Sequence, residues 1–152
     1  MLARINAALF MILANRYDWQ LFIEVTSEGG SGKSVLTYIA TLLAGEHNTA
    51  SGNMRALDEA RGRYQFVGKS LITLPDQVKY VGEGAGIKAI TGGDLIEVDG
   101  KYEMQFPTII KAGLIWEAKF STSMRFSLWH YLKFRLGNYL ILPKSGSSSQ
   151  IY

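Results

Sequence analysis

The sequence predicts an α/β domain, on three observations. An apolar run over 21–26 feeds a glycine-rich turn, a helical apolar period starts directly after that turn at 35–44, and a second apolar strand follows at 66–77. Upstream, residues 5–14 carry an apolar helical pattern that 16–20 interrupts. Gly45 is placed to cap the helix over 35–44. Residues 48–53 are small and polar and predict a loop, and 54–62 repeat apolar residues at the spacing of a second short helix. The glycine-rich stretch 82–94 predicts a loop and short helix. Residues 95–98, Asp99-Gly100 and 101–106 then read as strand, two-residue turn and strand, a hairpin. A buried strand is expected within 108–116 and a flexible end at 145–150.

The turn after the first strand reads Ser27-Glu28-Gly29-Gly30-Ser31-Gly32-Lys33-Ser34. Backbone N–H groups of such a loop wrap phosphate oxygens, because Gly29, Gly30 and Gly32 have no Cβ to block the approach. The helix then starts at the phosphates, where its dipole and unpaired N–H groups favour an anion. In that arrangement Lys33 reaches the β- and γ-phosphates and the Ser34 hydroxyl ligates Mg²⁺. The full pattern has glycine where Ser27 stands. The apolar run at 66–74 leads through Pro75 into Asp76, where a strand-end carboxylate would hold the Mg²⁺ shell. Gln77 follows where a second acid is common, with Glu83 as the nearest acidic substitute.

With 152 residues the chain is about one domain. It has no cysteine, which excludes disulfides and thiolate zinc sites, and His47 and His130 are too far apart in sequence to suggest a paired metal site. The apolar run after Arg4 lacks a basic region and a cleavage site, so a buried helix is expected rather than a signal peptide. It is also too short to span a bilayer, which takes about 20 apolar residues. Charge is divided unevenly: residues 1–110 hold 10 Lys and Arg against 12 Asp and Glu, and residues 111–152 hold 6 against 1. That basic tail also carries Trp116, Phe120, Phe126, Trp129, Tyr131, Phe134 and Tyr139, a mixture suited to nucleic-acid stacking, a membrane surface or packing.

Over residues 5–112 the order of motifs resembles the superfamily 3 helicases of the phage and poxvirus primase-helicase type. The residues that carry the resemblance are Gly29 to Ser34, the strand ending at Asp76, Lys88-Ala89-Ile90-Thr91-Gly92-Gly93-Asp94, and a hairpin with Lys101-Tyr102 and Phe106. The resemblance implies an AAA+-like P-loop NTPase fold, a parallel sheet flanked by helices with a β-hairpin insertion. It also implies a hexameric ring that moves single-stranded DNA by ATP hydrolysis, in the cytoplasm of a bacterial host or from a phage gene. Carried over by position, Gly29, Gly30, Ser31, Gly32, Lys33 and Ser34 hold ATP, Ser34 and Asp76 hold Mg²⁺, and Lys101 with Lys88 touches DNA. The expected catalytic residues are Lys33 and Asp76.

After Ala112 the resemblance stops. Leu114-Ile115-Trp116-Glu117 stands where the family has an asparagine that senses the γ-phosphate, and Arg125, Arg135 and Asn138 lie in unfamiliar sequence. The expectation is therefore an ATP-binding core over 1–112, a reading frame shifted near 112, and a divergent tail over 113–152 that leaves the C-terminal part incomplete. Two alternatives remain open. One is a small P-loop kinase that uses Arg55, Arg61 and Arg63 as a lid. The other is a non-enzymatic binder of nucleic acid or membrane surface that uses Lys119, Arg125, Lys133, Arg135 and Lys144.

Overall fold

Residues buried on both sides of a sheet read as near-continuous apolar runs, and 71–74, with Thr73 as its one polar residue, and 113–116 behave as such runs here. The computed structural model describes residues 2–26, 32–77, 82–100, 104–118 and 139–141. Helix α1 (Leu2–Leu13) and a 3-10 turn (Tyr17–Trp19) precede β1 (Ile23–Thr26) and α2 (Lys33–Ala44). Then follow β2 (Thr49–Ser51), α3 (Met54–Asp58), α4 (Ala60–Arg63), β3 (Leu71–Gln77) and α5 (Ala85–Gly92). The small hairpin β4 (Ile96–Val98) and β5 (Phe106–Thr108) leads to β6 (Gly113–Ala118), and β7 (Tyr139–Ile141) completes the order.

Five strands form one sheet in the order β2-β3-β6-β1-β7, every pair parallel, so all their carboxyl ends share one edge. Strand alternation sends Phe22, Ile72, Leu74, Leu114 and Trp116 to one face, where they pack with Met54, Leu57, Phe66, Ile87 and Ile90 under α3 and α5. The opposite residues, Ile23, Val25, Leu71 and Ile115, pack with Met11 and Ile12 of α1 and Leu36 and Ala40 of α2. The parallel sheet flanked by helices is thus as expected.

Several local expectations differ. The expected loop 48–53 contains β2, a short strand pairing Thr49–Ser51 with Leu71–Thr73. The expected second helix is two, α3 and α4, broken at Glu59, whose backbone is extended (φ −96°, ψ 131°). Phe66 lies in a 3-10 turn, and β3 starts only at Leu71, after Gly68 at φ +75°. The hairpin is real but not tight: Val98 pairs with Phe106, so the connection runs from 99 to 105 and the second strand begins at Phe106 rather than 101. Asp99 instead donates its N–H to the Ala60 carbonyl (3.0 Å), which ties the connection to α4.

The strand expected within 108–116 is shifted to 113–118 and stands at the centre of the sheet, between β3 and β1. The boundary expected at 112 falls immediately before it. Leu114, Ile115 and Trp116 are each at most 2% exposed and alternate between the two cores, which is the pattern of a central strand. The family's sequence pattern therefore fades at a point where the sheet continues.

Candidate nucleotide site

Strand β1 ends at Thr26 and α2 begins at Lys33, so the chain turns from strand to helix within six residues at the carboxyl edge of the sheet. Gly29, Gly30 and Ser31 lie outside the described residues. Gly32 is the helix N-cap in left-handed backbone (φ +87°), a conformation that side-chain-bearing residues adopt at a cost and glycine freely. Among the described residues no side chain caps this helix at its N-terminus. An uncapped N-terminus at the end of a central strand is suited to an anion. Lys33 is 7% exposed although its side chain is cationic, while Ser34 is exposed in the same turn. β6 lies between β1 and β3, so the ends of β1 and β3 stand about 10 Å apart at the usual strand spacing.

Asp76 lies on that same edge, exposed and in left-handed backbone (φ +43°). It gets there through a bulge. The register between β3 and β6 shifts between Leu74 and Gln77, so that Gln77 pairs with Ala118. The Gln77 side chain is occupied structurally: its Oε1 accepts from the Met54 N–H (3.2 Å) and its Nε2 donates to the Pro75 carbonyl (2.7 Å). Gln77 therefore anchors α3. Glu83 is exposed ahead of α5.

Two buried carboxylates lie outside the set of functional residues that the sequence predicts. Glu117 is 3% exposed on β6, beside Val25, and its Oε1 accepts a hydrogen bond from the Thr37 hydroxyl of α2. Glu24 is 5% exposed on β1, beside Trp116, and points to the other core. Its Oε1 and the Trp116 Nε1 are both buried without a hydrogen-bond partner, and burial pushes its carboxyl up to about 7. The signal was present in the sequence, since each is a lone acid inside an apolar run that both faces of the sheet must bury.

Lys88 is half-buried on α5, on the face of the sheet opposite α2, and Lys101 lies outside the described residues. The Thr-Gly-Gly-Asp segment acts as a helix stop: Gly93 donates to the Ala89 and Ile90 carbonyls and Asp94 to that of Ala89. Gln20 closes the same end by donating to the Gly92 carbonyl (2.9 Å). Of the arginines considered for a kinase lid, Arg63 donates to the carbonyls of Leu57, Asp58 and Glu97, and Arg55 pairs with Glu59. Arg63 thus holds α3 against the hairpin. Among the described residues no helix is long and apolar enough to cross a membrane, and no group of three or more His, Cys, Asp and Glu gathers as a metal cluster.

Fold and motif together define an α/β domain with a glycine-rich strand-to-helix turn at the carboxyl edge of a parallel sheet. No family model matches the chain. It is similar in structure to the apo C-terminal region of NrS-1, with TM-score 0.55 and 14% identity over 74% of this chain and 29% of that one. A second form of that region gives TM-score 0.54 and 12% identity over 77% and 33%. NtrX from Brucella abortus in complex with ATP gives TM-score 0.52 and 11% identity over 91% and 35%. The chain thus spans about a third of the length of these solved structures. At such identities the likeness is one of fold.

Proposed function

We propose that the chain is an ATP-binding P-loop domain related to superfamily 3 helicases. The observation that supports it most is the placement of buried Lys33 in the first turn of an uncapped α2, directly after β1, on the edge that also presents Asp76. A fold neighbour solved with ATP is consistent with a nucleotide at such an edge. The donor set also suits Mg²⁺. The ion takes hard oxygen ligands and keeps one or two carboxylates with the substrate's phosphates, so Ser34 and Asp76 are sufficient and a larger acidic cluster is unnecessary. Bound there, Mg²⁺ would neutralise charge on the β- and γ-phosphates.

In this reading residues 27–34 cradle the triphosphate, Lys33 binds its terminal phosphates, and Ser34 and Asp76 face the metal. The core continues through β6, and the basic remainder of the tail is not needed to bind nucleotide. Lys101, with Lys88 behind it, contacts single-stranded DNA through the phosphate backbone. Hydrolysis is slow and strand separation absent. Gln77 is committed to α3, Glu117 replaces the family's asparagine, and transition-state stabilisation by an arginine alone is worth about 10³ to 10⁵ in rate in related enzymes. The test is ATP binding and hydrolysis by the purified chain with Mg²⁺, with and without single-stranded DNA. Binding with turnover well below 1 s⁻¹ supports the reading; DNA-stimulated turnover on the order of 1 s⁻¹ or faster contradicts the impaired motor, and no binding contradicts the site.

A further inference from the structure

A carboxylate removed from water costs several kcal/mol unless its surroundings compensate, so a buried acid in a strand calls for a reason. Glu117 is the penultimate residue of β6, level with Val25 and one residue short of the edge where β1 gives way to the phosphate loop. Alternation turns it towards α2, on the side of Ile115, and its described side-chain partner there is the Thr37 hydroxyl. Thr37 follows Lys33 by four residues, one helical turn, so the two share a face of α2 and lie about 6 Å apart along its axis. A buried carboxyl group thus stands roughly one turn below the ammonium assigned to the triphosphate.

We propose, resting on the nucleotide reading, that Glu117 is a positioning residue that makes the site selective for the metal-complexed triphosphate over the free anion. Two effects combine. The Thr37 hydrogen bond fixes the first two turns of α2 against the central strand, which sets where Lys33 and Ser34 meet the phosphates. The carboxylate also adds one negative charge under the site. A free triphosphate carries roughly two more negative charges than its Mg²⁺ complex and is repelled more. One charge acting on those two over about 10 Å at an effective dielectric of about 20 changes the ratio of the two affinities on the order of 100-fold.

The experiment measures the affinity of the full chain for ATP in excess Mg²⁺ and in EDTA, for wild type, Glu117→Gln, Thr37→Val, Thr37→Ser and Lys33→Ala, with thermal unfolding of each. The expected result is that Glu117→Gln narrows the preference for the Mg²⁺ complex on the order of 100-fold, chiefly by strengthening binding in EDTA. Thr37→Val should weaken binding under both conditions and Thr37→Ser restore it. A purely structural Glu117 would shift the unfolding temperature or both affinities together. An unchanged ratio in Glu117→Gln with binding still lost in Lys33→Ala overturns this inference and leaves the nucleotide site standing. Affinity unaffected by Lys33→Ala overturns both.

Discussion

The sheet buries one glutamate on each face, on neighbouring strands, and the two meet different fates. Glu117 faces α2 and is held by Thr37. Glu24 faces the larger core under α3 and α5, where its Oε1 has no partner and burial lifts its carboxyl to about 7. Both faces are apolar, so hydrophobicity does not separate them. The difference is that one acid lies beneath the helix that begins at Lys33, and the other lies beside Trp116, whose indole N–H is likewise buried without a partner. In the proposed reading the α2 side serves a charged ligand and the opposite side serves packing.

That contrast is most easily broken at Lys33. Lys33→Ala should cost about 3–5 kcal/mol of Mg²⁺-ATP affinity, a loss of 100-fold or more, as expected when one partner of a close charge pair is truncated. Calorimetric titration reads this directly, and unchanged affinity would remove the functional half of the comparison. The packing side answers to a different probe. Gly86 lies against the Leu57 backbone, where a Cβ would collide with the carbonyl, while its N–H donates to Asp58 Oδ1 (2.7 Å). Gly86→Ala should therefore destabilise the fold by about 2–3 kcal/mol in denaturant unfolding. ATP affinity of the molecules that remain folded should be unchanged; a selective loss of affinity would show that α5 belongs to the site.

Glu24 gives the contrast a pH signature. Its folded carboxyl titrates near 7 against an ordinary value of 4.5, so the folded state holds its proton longer than the unfolded state does. Below about pH 4.5 both states are protonated and the contribution is flat. As pH rises from there through 7 the unfolded state ionises first and stability falls, by about 3 kcal/mol in total. Glu24→Gln should abolish this slope and be the more stable protein at pH 8; a slope that survives in the variant assigns it to another group. The smallest effect is expected from Trp116→Phe. The indole N–H has no partner to lose, so the change should cost about 1 kcal/mol or less, arising from lost volume beside Phe22.

Much of the site's frame was legible in the sequence because it is local. A strand, a glycine-rich turn and a helix are contiguous in the chain, and Gly45 stops its helix through backbone geometry that the sequence specifies directly. What involved partners distant in sequence was not legible. Thr49–Ser51 has little strand character of its own and becomes β2 by pairing with Leu71–Thr73. Asp99-Gly100 carries a strong turn signal, yet contact with α4 overrides the two-residue hairpin. Gln77 stands in sequence where a second acid is common, but the bulge at the end of β3 turns it to the Met54 N–H. Glu117 and Thr37 are 80 residues apart, and only the strand order brings them together.

Hydrogen exchange across the chain with and without saturating Mg²⁺-ATP tests the division of the molecule most directly. The nucleotide should slow exchange in the first turns of α2, residues 33–37, and around Asp76, while α5 and the β4–β5 hairpin remain unchanged. Protection centred on 85–98, or none at concentrations that saturate binding, would contradict the assignment of the α2 edge as the nucleotide site.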